Sequence, residues 1–295
     1  MLPCVACDVD SSLSGASPTT YNLQIPYSSV PCSFLGVYNG HMNIKNPKDE
    51  LMIREAAEIS VEILSELGKN VKEGVTPLEL DKLMGELCKE YGVKPNFPTV
   101  DNYQNNLCIS VNDVAVHGIP KDVPLKKGDL VSIDTGITYK GYFTDHCWTW
   151  SIGTPSKQNA KLLEAGRAAV ENAMAKAVVG NRTGDLGYVM EKTAKDNGFN
   201  IIKMYVGHGI GKSMHEYPDI PAFGKPGTGD LLVDGMVVCV ECQVVDDTGH
   251  IYTDEDGWSV HTEHGGNSVM FEYMVIVRKN KPEILTNTLD WGVVA

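Results

Sequence analysis

Gly128-Asp129-Leu130-Val131-Ser132-Ile133-Asp134-Thr135-Gly136-Ile137-Thr138-Tyr139-Lys140-Gly141-Tyr142-Phe143-Thr144-Asp145 is the stretch whose reading decides the fold. β-Branched and apolar residues run up to Tyr139-Lys140-Gly141, and an aromatic run leads away, which is the pattern of a β-hairpin. With Tyr139-Lys140 as a two-residue turn, Asp134 and Asp145 stand directly opposite each other, their Cβ atoms about 4.5–5.5 Å apart. Like charges so placed destabilise a sheet, and a divalent cation between them removes the repulsion and suits carboxylate ligands. The plainer alternative is two solvated aspartates on an exposed face.

The segments on either side repeat one scheme. Asn46-Pro47 is a helix cap followed by proline at the first helical position. The helix it opens runs to about Val71, with Ile53, Ala56, Ala57, Val61, Leu64 and Leu67 as its apolar stripe. Thr76-Pro77-Leu78-Glu79 is a capping box that opens a second helix, to about Tyr91. Strand-like segments follow at about 107–117, 129–138 and 142–151. Then Thr154-Pro155 opens a helix over about 156–178, closed by Gly180, and a shorter helix covers about 184–196. Further strand-like segments lie at about 201–206, 236–245 and 268–278. Two helices and then strands, twice over, predict an α+β fold with two similar halves around one sheet.

Composition sets the bounds. The chain has 295 residues, of which 42% are hydrophobic and 21% charged, and a formal net charge of −13 at pH 7. That balance argues against a nucleic-acid partner, which needs a basic footprint, and is compatible with peptides bearing a free α-amino group. No apolar run approaches the roughly 18 residues of a membrane span, so no membrane partner is expected. Eight cysteines are too few for a disulfide framework at this length, and predict a cytoplasmic, reducing location. Cys239 and Cys242 are three apart on a strand, hence on opposite faces and unable to share a metal. Cys4 and Cys7 lack the second pair that a structural zinc site needs. Residues 1–41 contain no Lys or Arg and read as a poorly ordered extension. They lack the charged start of a secretory signal and the arginines of a transit peptide. Met42 is an alternative start, and residues 42–295 are expected to form one catalytic domain.

Three more polar positions stand out. His208 lies in Gly207-His208-Gly209-Ile210-Gly211, where glycines on both sides let backbone or substrate approach the imidazole. Glu241 is embedded in the apolar run 236–245, and Glu272 in Val269-Met270-Phe271-Glu272-Tyr273-Met274-Val275. A carboxylate in a central strand is costly unless paired or coordinated. Each alone has an ordinary explanation as a solvated glutamate or a turn histidine. Together with Asp134 and Asp145 they form a hard, oxygen-rich set with one imidazole, suited to two divalent first-row metals.

Here the chain strongly resembles type I methionine aminopeptidases, over about residues 43–287. The resemblance rests on an ordered set of motifs. Cys108-Ile109-Ser110-Val111-Asn112-Asp113-Val114-Ala115-Val116-His117-Gly118-Ile119-Pro120 comes first, followed by Asp134 and Asp145. Gly207-His208-Gly209-Ile210-Gly211 and His215-Glu216 come next, then Glu241, Asp256-Gly257-Trp258-Ser259 and Glu272. It implies the pita-bread fold, a pseudo-twofold curved antiparallel sheet covered by two helix pairs. It further implies two divalent ions (Co, Mn, Fe or Zn), with Asp134, Asp145, His208, Glu241 and Glu272 as ligands and Asp145 and Glu272 bridging. By the same resemblance Glu241 is the proton shuttle, His215 faces the substrate carbonyl oxygen and His117 contacts the scissile amide. Cys108, Met214, Trp258 and Tyr103 match the methionine pocket. The implied activity is removal of the first methionine from nascent chains and peptides, with a small second residue preferred, by a monomer.

Three positions depart from the family. Cys242 stands where these enzymes usually carry Pro, Met270 where they carry Gln, and Tyr273 where they carry His. Partners around a metal site tune its affinity, often by about 10–100-fold. Xaa-Pro aminopeptidases and prolidases share the fold and the ligand set but carry a large amino-terminal domain, and non-catalytic peptide-binding relatives typically lose ligands. Both remain as alternative readings.

Overall fold

The computed structural model describes residues 46–100 and 102–295, so the expectations for residues 1–41, Met42, Cys4 and Cys7 lie outside the described residues. Helix α1 spans Pro47–Asn70, and the Asn46 side chain accepts from the backbone N–H groups of Lys48 and Asp49. Helix α2 spans Pro77–Glu90 behind a complete Thr76–Glu79 capping box. Helix α3 spans Lys157–Met174 and helix α4 spans Thr183–Asp196. Both pairs agree with the expected scheme, because caps are short-range chemistry.

Two details differ. On α1 the buried stripe is Ile53, Ala56, Ala57, Ser60, Ile63, Leu64 and Leu67, a strict three-and-four spacing that leaves Val61 at its edge, half-buried. The cap of α3 is Ser156, whose hydroxyl accepts from Asn159 N–H, rather than Thr154-Pro155. That helix also ends at Met174, short of 178, because the following residues turn toward the sheet edge and Val179 N–H bonds to Arg278 O.

The main sheet has nine strands. Its path runs Glu216–Pro221, Val206–Gly209, Val237–Val245, Ser268–Ile276, His146–Ser151, Leu130–Thr135 and Cys108–Val111, with every pair antiparallel. Val237–Val245 and Ser268–Ile276 form the centre, and all nine residues of each are buried. Helix α3 lies against this pair, and Gly166 permits the approach, since a Cβ there would stand 2.5 Å from Val269 Cγ2. The expected strand at 201–206 is instead two pieces. Asn200–Ile201 pairs with the far end of Val237–Val245, Gly209 of the strand Val206–Gly209 with its near end, and the chain bows outward between them. A small sheet of Ile251–Thr253, Val260–Thr262 and Val114–Val116 was not legible beforehand. Among the described residues, no helix is long and apolar enough to cross a membrane.

The hairpin register corrects the opening expectation. Tyr139 pairs with Tyr142 and Thr138 with Phe143, so the turn residues are Lys140 and Gly141. Their φ values are 49° and 84°, the double positive φ of a type I′ turn, which favours glycine at the second place over tyrosine at the first. Asp134 therefore pairs with Cys147. Asp145 sits two residues away from that partner, diagonal to Asp134 rather than opposite it.

Candidate metal centre

Four strands carry the site in one transverse row. Asp134 pairs with Cys147, Cys147 with Glu272, and Glu272 with Glu241. Asp145, just before the strand His146–Ser151, projects beside this row. His208 enters from Val206–Gly209, where the flanking glycines are steric necessities. A Cβ at Gly207 would lie 2.4 Å from Cys239 O, and one at Gly209 would lie 2.4 Å from Tyr217 O. His208 Nδ1 donates to Gly209 O at 2.9 Å. Its Nε2 is thereby left as a lone-pair donor, 3.9 Å from Asp145 Oδ2 and 3.8 Å from Glu241 Oε1.

All four carboxylates are buried, and among the described residues the ion-pair partner found for them is His208 rather than a lysine or arginine. Oxygen atoms of Asp134, Asp145 and Glu272 lie within 4.8 Å of one another. Asp134 Oδ1, Asp145 Oδ1 and Glu272 Oε1 are buried without a hydrogen-bond partner. Leaving such atoms unsatisfied is expensive, and a divalent cation satisfies them with the oxygen donors it prefers. The residues therefore fit a metal ion. In the absence of a cation, burial pushes Asp134 up to about 7 and Glu241 up to about 8. Burial and then the neighbouring carboxylate charges push Asp145 and Glu272 well above the ordinary range. Burial holds His208 down to about 3, keeping it a neutral donor.

Two further histidines border the row. His215 is solvent-accessible, yet its ring centroid is 4.3 Å from that of His208, and the surrounding protein lowers its pKa by desolvation. The turn before it is pinned by buried Glu216, whose Oε1 accepts from Lys212 N–H at 2.8 Å and Ser213 N–H at 3.2 Å. His117 has a left-handed backbone, φ 57°, unusual for a residue with a Cβ. Its ring stands edge-on to Tyr205 at 4.9 Å and to Trp258 at 6.3 Å, and burial lowers it to about 4.

An apolar cluster adjoins the carboxylates, because Cys108 pairs directly with Asp134. Phe97, Tyr103 and Cys108 are buried there, packed with Val100, Ile119, Met214 and Trp258. Tyr103 meets Trp258 edge-on at 5.0 Å, and its hydroxyl donates to Leu107 O at 2.6 Å. Asp256 presents Trp258 by accepting from Trp258 N–H and Ser259 N–H at 2.9 and 2.7 Å. All four expected pocket residues come together. Phe97, Val100, Ile119 and Tyr205 were missed, and nothing in local spacing marks them. Gln243 was missed too. Its Nε2 donates to Glu241 Oε2 at 3.2 Å from a position directly opposite Met270. An amide absent at Met270 is thus present across the strand pair.

Residues 52–279 match metallopeptidase family M24. The chain belongs to metallopeptidase family M24. M24 membership makes it a metal-dependent hydrolase that uses divalent ions. It is 37% identical over 243 residues to the methionine aminopeptidase of Clostridium perfringens, covering 82% of this chain and 98% of that protein. It is 38% identical over 245 residues to that of Aquifex aeolicus, covering 79% and 94%. The crystal structure of methionine aminopeptidase from Thermotoga maritima superposes with a TM-score of 0.82 at 34% identity, covering 84% of this chain and 100% of that one. An X-Pro aminopeptidase of Thermotoga maritima gives a TM-score of 0.69 at 22% identity, with only 64% of that chain covered. That more distant likeness shows the shared M24 fold alone, the expected pita-bread architecture.

Proposed function

We propose that this protein removes the amino-terminal methionine from nascent chains and peptides. The observation that carries this reading is the contact between an apolar cluster and a buried, oxygen-rich group of carboxylates, made by the Cys108–Asp134 strand pairing. We further propose that Asp134, Asp145, His208, Glu241 and Glu272 would hold two divalent ions of the Co, Mn, Fe or Zn group. Bound divalent ions supply Lewis acidity and lower the pKa of the water they hold.

The chain's own side chains do the rest. Tyr103, Cys108, Met214 and Trp258, with Phe97 and Ile119, receive an unbranched thioether chain, and offer no charged group that would favour a polar one. Glu241 takes a proton from the attacking water and returns it to the departing amine. His215, at the solvent edge of the row, donates toward the carbonyl oxygen as negative charge develops there. His117, held by Tyr205 and Trp258, addresses the scissile amide. Similarity to named methionine aminopeptidases over nearly their whole length supports the substrate assignment. Residues 42–295 act as one catalytic domain, a monomer in a reducing cytoplasm, with a small second residue preferred.

The test is metal-reconstituted protein assayed on peptides beginning Met-Gly, Met-Leu and Gly-Pro. Met-Gly is expected to be cleaved fastest and Gly-Pro not measurably. Equal rates on Met-Gly and Gly-Pro peptides overturn the proposal.

A further inference from the structure

One thiol lies among the carboxylates. Cys239 precedes Glu241 by two residues on Val237–Val245, so both side chains leave the sheet on one face. Its Sγ, a His208 ring nitrogen and a Glu272 oxygen lie within 4.8 Å of one another, and all three residues are buried. Glu272 Oε1 has no hydrogen-bond partner. Directly across the strand pair stands Met274, whose Sδ is 3.2 Å from Asp145 N. The flank of the site bounded by His208, Cys239 and Met274 thus carries nitrogen and sulfur. The flank formed by Asp134, Asp145 and Glu272 carries only oxygen.

We propose that His208, Cys239 and Glu272 form a distinct position for a thiophilic divalent cation of the zinc class, sharing two donors with the carboxylate site. One nitrogen, one sulfur and one oxygen donor, with a fourth place open, is a donor set that suits tetrahedral zinc. Thiolate selects zinc and cadmium, whereas manganese prefers carboxylate oxygen. On binding, the S–H bond breaks, the proton passes to solvent and a metal–sulfur bond forms, with no change of oxidation state. Because His208 and Glu272 are common to both positions, a soft ion drawn to Cys239 competes with a hard ion held by the carboxylates. The identity of the metal then decides where it sits.

Two other thiols are near and serve as controls. Cys108 pairs with Asp134 in the apolar pocket, and Cys147 Sγ is directed at Met270 O at 3.6 Å. Neither joins a group of three donors within ligand range among the described residues. The inference rests on the reading of His208 and Glu272 as metal ligands, and manganese binding tests that reading separately.

The experiment titrates chelated full-length protein with cobalt(II), and measures zinc, cadmium and manganese affinities by competition. Wild type, Cys239→Ser, Cys108→Ser and Cys147→Ser are compared. Wild type and both controls are expected to show thiolate-to-cobalt charge-transfer absorption, which Cys239→Ser lacks. Cys239→Ser should weaken zinc and cadmium by more than the about tenfold typical of losing a supporting partner, and leave manganese within about twofold. Absence of the band in wild type, its persistence in Cys239→Ser, or equal weakening of zinc and manganese overturns the proposal. Should Cys239→Ser fail to fold, cadmium-113 resonance of the wild type decides, since a shift typical of oxygen and nitrogen donors alone refutes the sulfur bond. If manganese also fails to bind, the metal-ligand reading falls, and this inference with it.

Discussion

Stripping the metal should make stability fall as pH rises through the weakly alkaline range. Glu241 has its pKa pushed from 4.5 to about 8 by burial. A carboxyl with a raised folded-state pKa contributes stability that is complete below its unfolded pKa and is lost as pH climbs through the folded value. The buried histidines act in the opposite sense. His117 and His146 are lowered to about 4 and His208 to about 3, so they destabilise only below the unfolded value of 6.5. The window from pH 7 to 8.5 therefore excludes the histidines, and the buried thiols Cys88, Cys108, Cys147, Cys239 and Cys242, which burial also raises, act there in the same direction as the carboxyls. Across it the folded state gives up most of one proton at Glu241, a loss of about 1 kcal/mol. A protein of this size shifts by about 2–4 °C per kcal/mol, so Glu241 alone lowers the midpoint by about that much. Asp145 and Glu272, also raised, act in the same direction. Calorimetry of chelated protein at pH 7 and 8.5 measures the drop, and manganese-loaded protein should lose it because the ion stabilises the ionised carboxylates. A chelated midpoint that is flat or rises over this window refutes the reasoning.

Replacing His215 with Ala should lower kcat by about 10²–10³-fold, the loss expected of one oxyanion donor, with metal content nearly unchanged. His208→Ala should instead lose metal on the same dialysis, and equal loss by elemental analysis in both variants refutes this division. Gln243→Leu removes the donor to Glu241 and should weaken metal affinity by about 10–100-fold, measured by competition with a chelating dye, while the melting midpoint of the chelated protein changes little. Trp258→Ala opens the pocket wall and should cost about 1–3 kcal/mol in kcat/KM for Met-Gly peptides, an unchanged value showing that the side chain binds elsewhere.

Local chemistry made much of this protein readable from its residues in order. Asn46 and Thr76 announce helices because a cap bonds N–H groups only two or three residues away. Glu241 and Glu272 are conspicuous because a carboxylate inside an apolar run has to be compensated wherever the run folds. His208 is conspicuous because glycine on both sides signals close backbone, and a Cβ at either would collide. Register was out of reach, because the identity of the turn residue rested on which of two dipeptides would take positive φ. Lys140-Gly141 did so, and the partner of Asp134 became Cys147 rather than Asp145. Only tertiary structure set Gln243 against Glu241, Glu216 beneath the loop of His215, and Cys239 beside His208 and Glu272. Sequence by itself determined which residues could not tolerate water or could not tolerate a side chain, since those are properties of one residue and its immediate neighbours. Which of them meet was decided by strand pairing across long separations, where the stabilisation comes from burying distant segments together and leaves no trace in spacing.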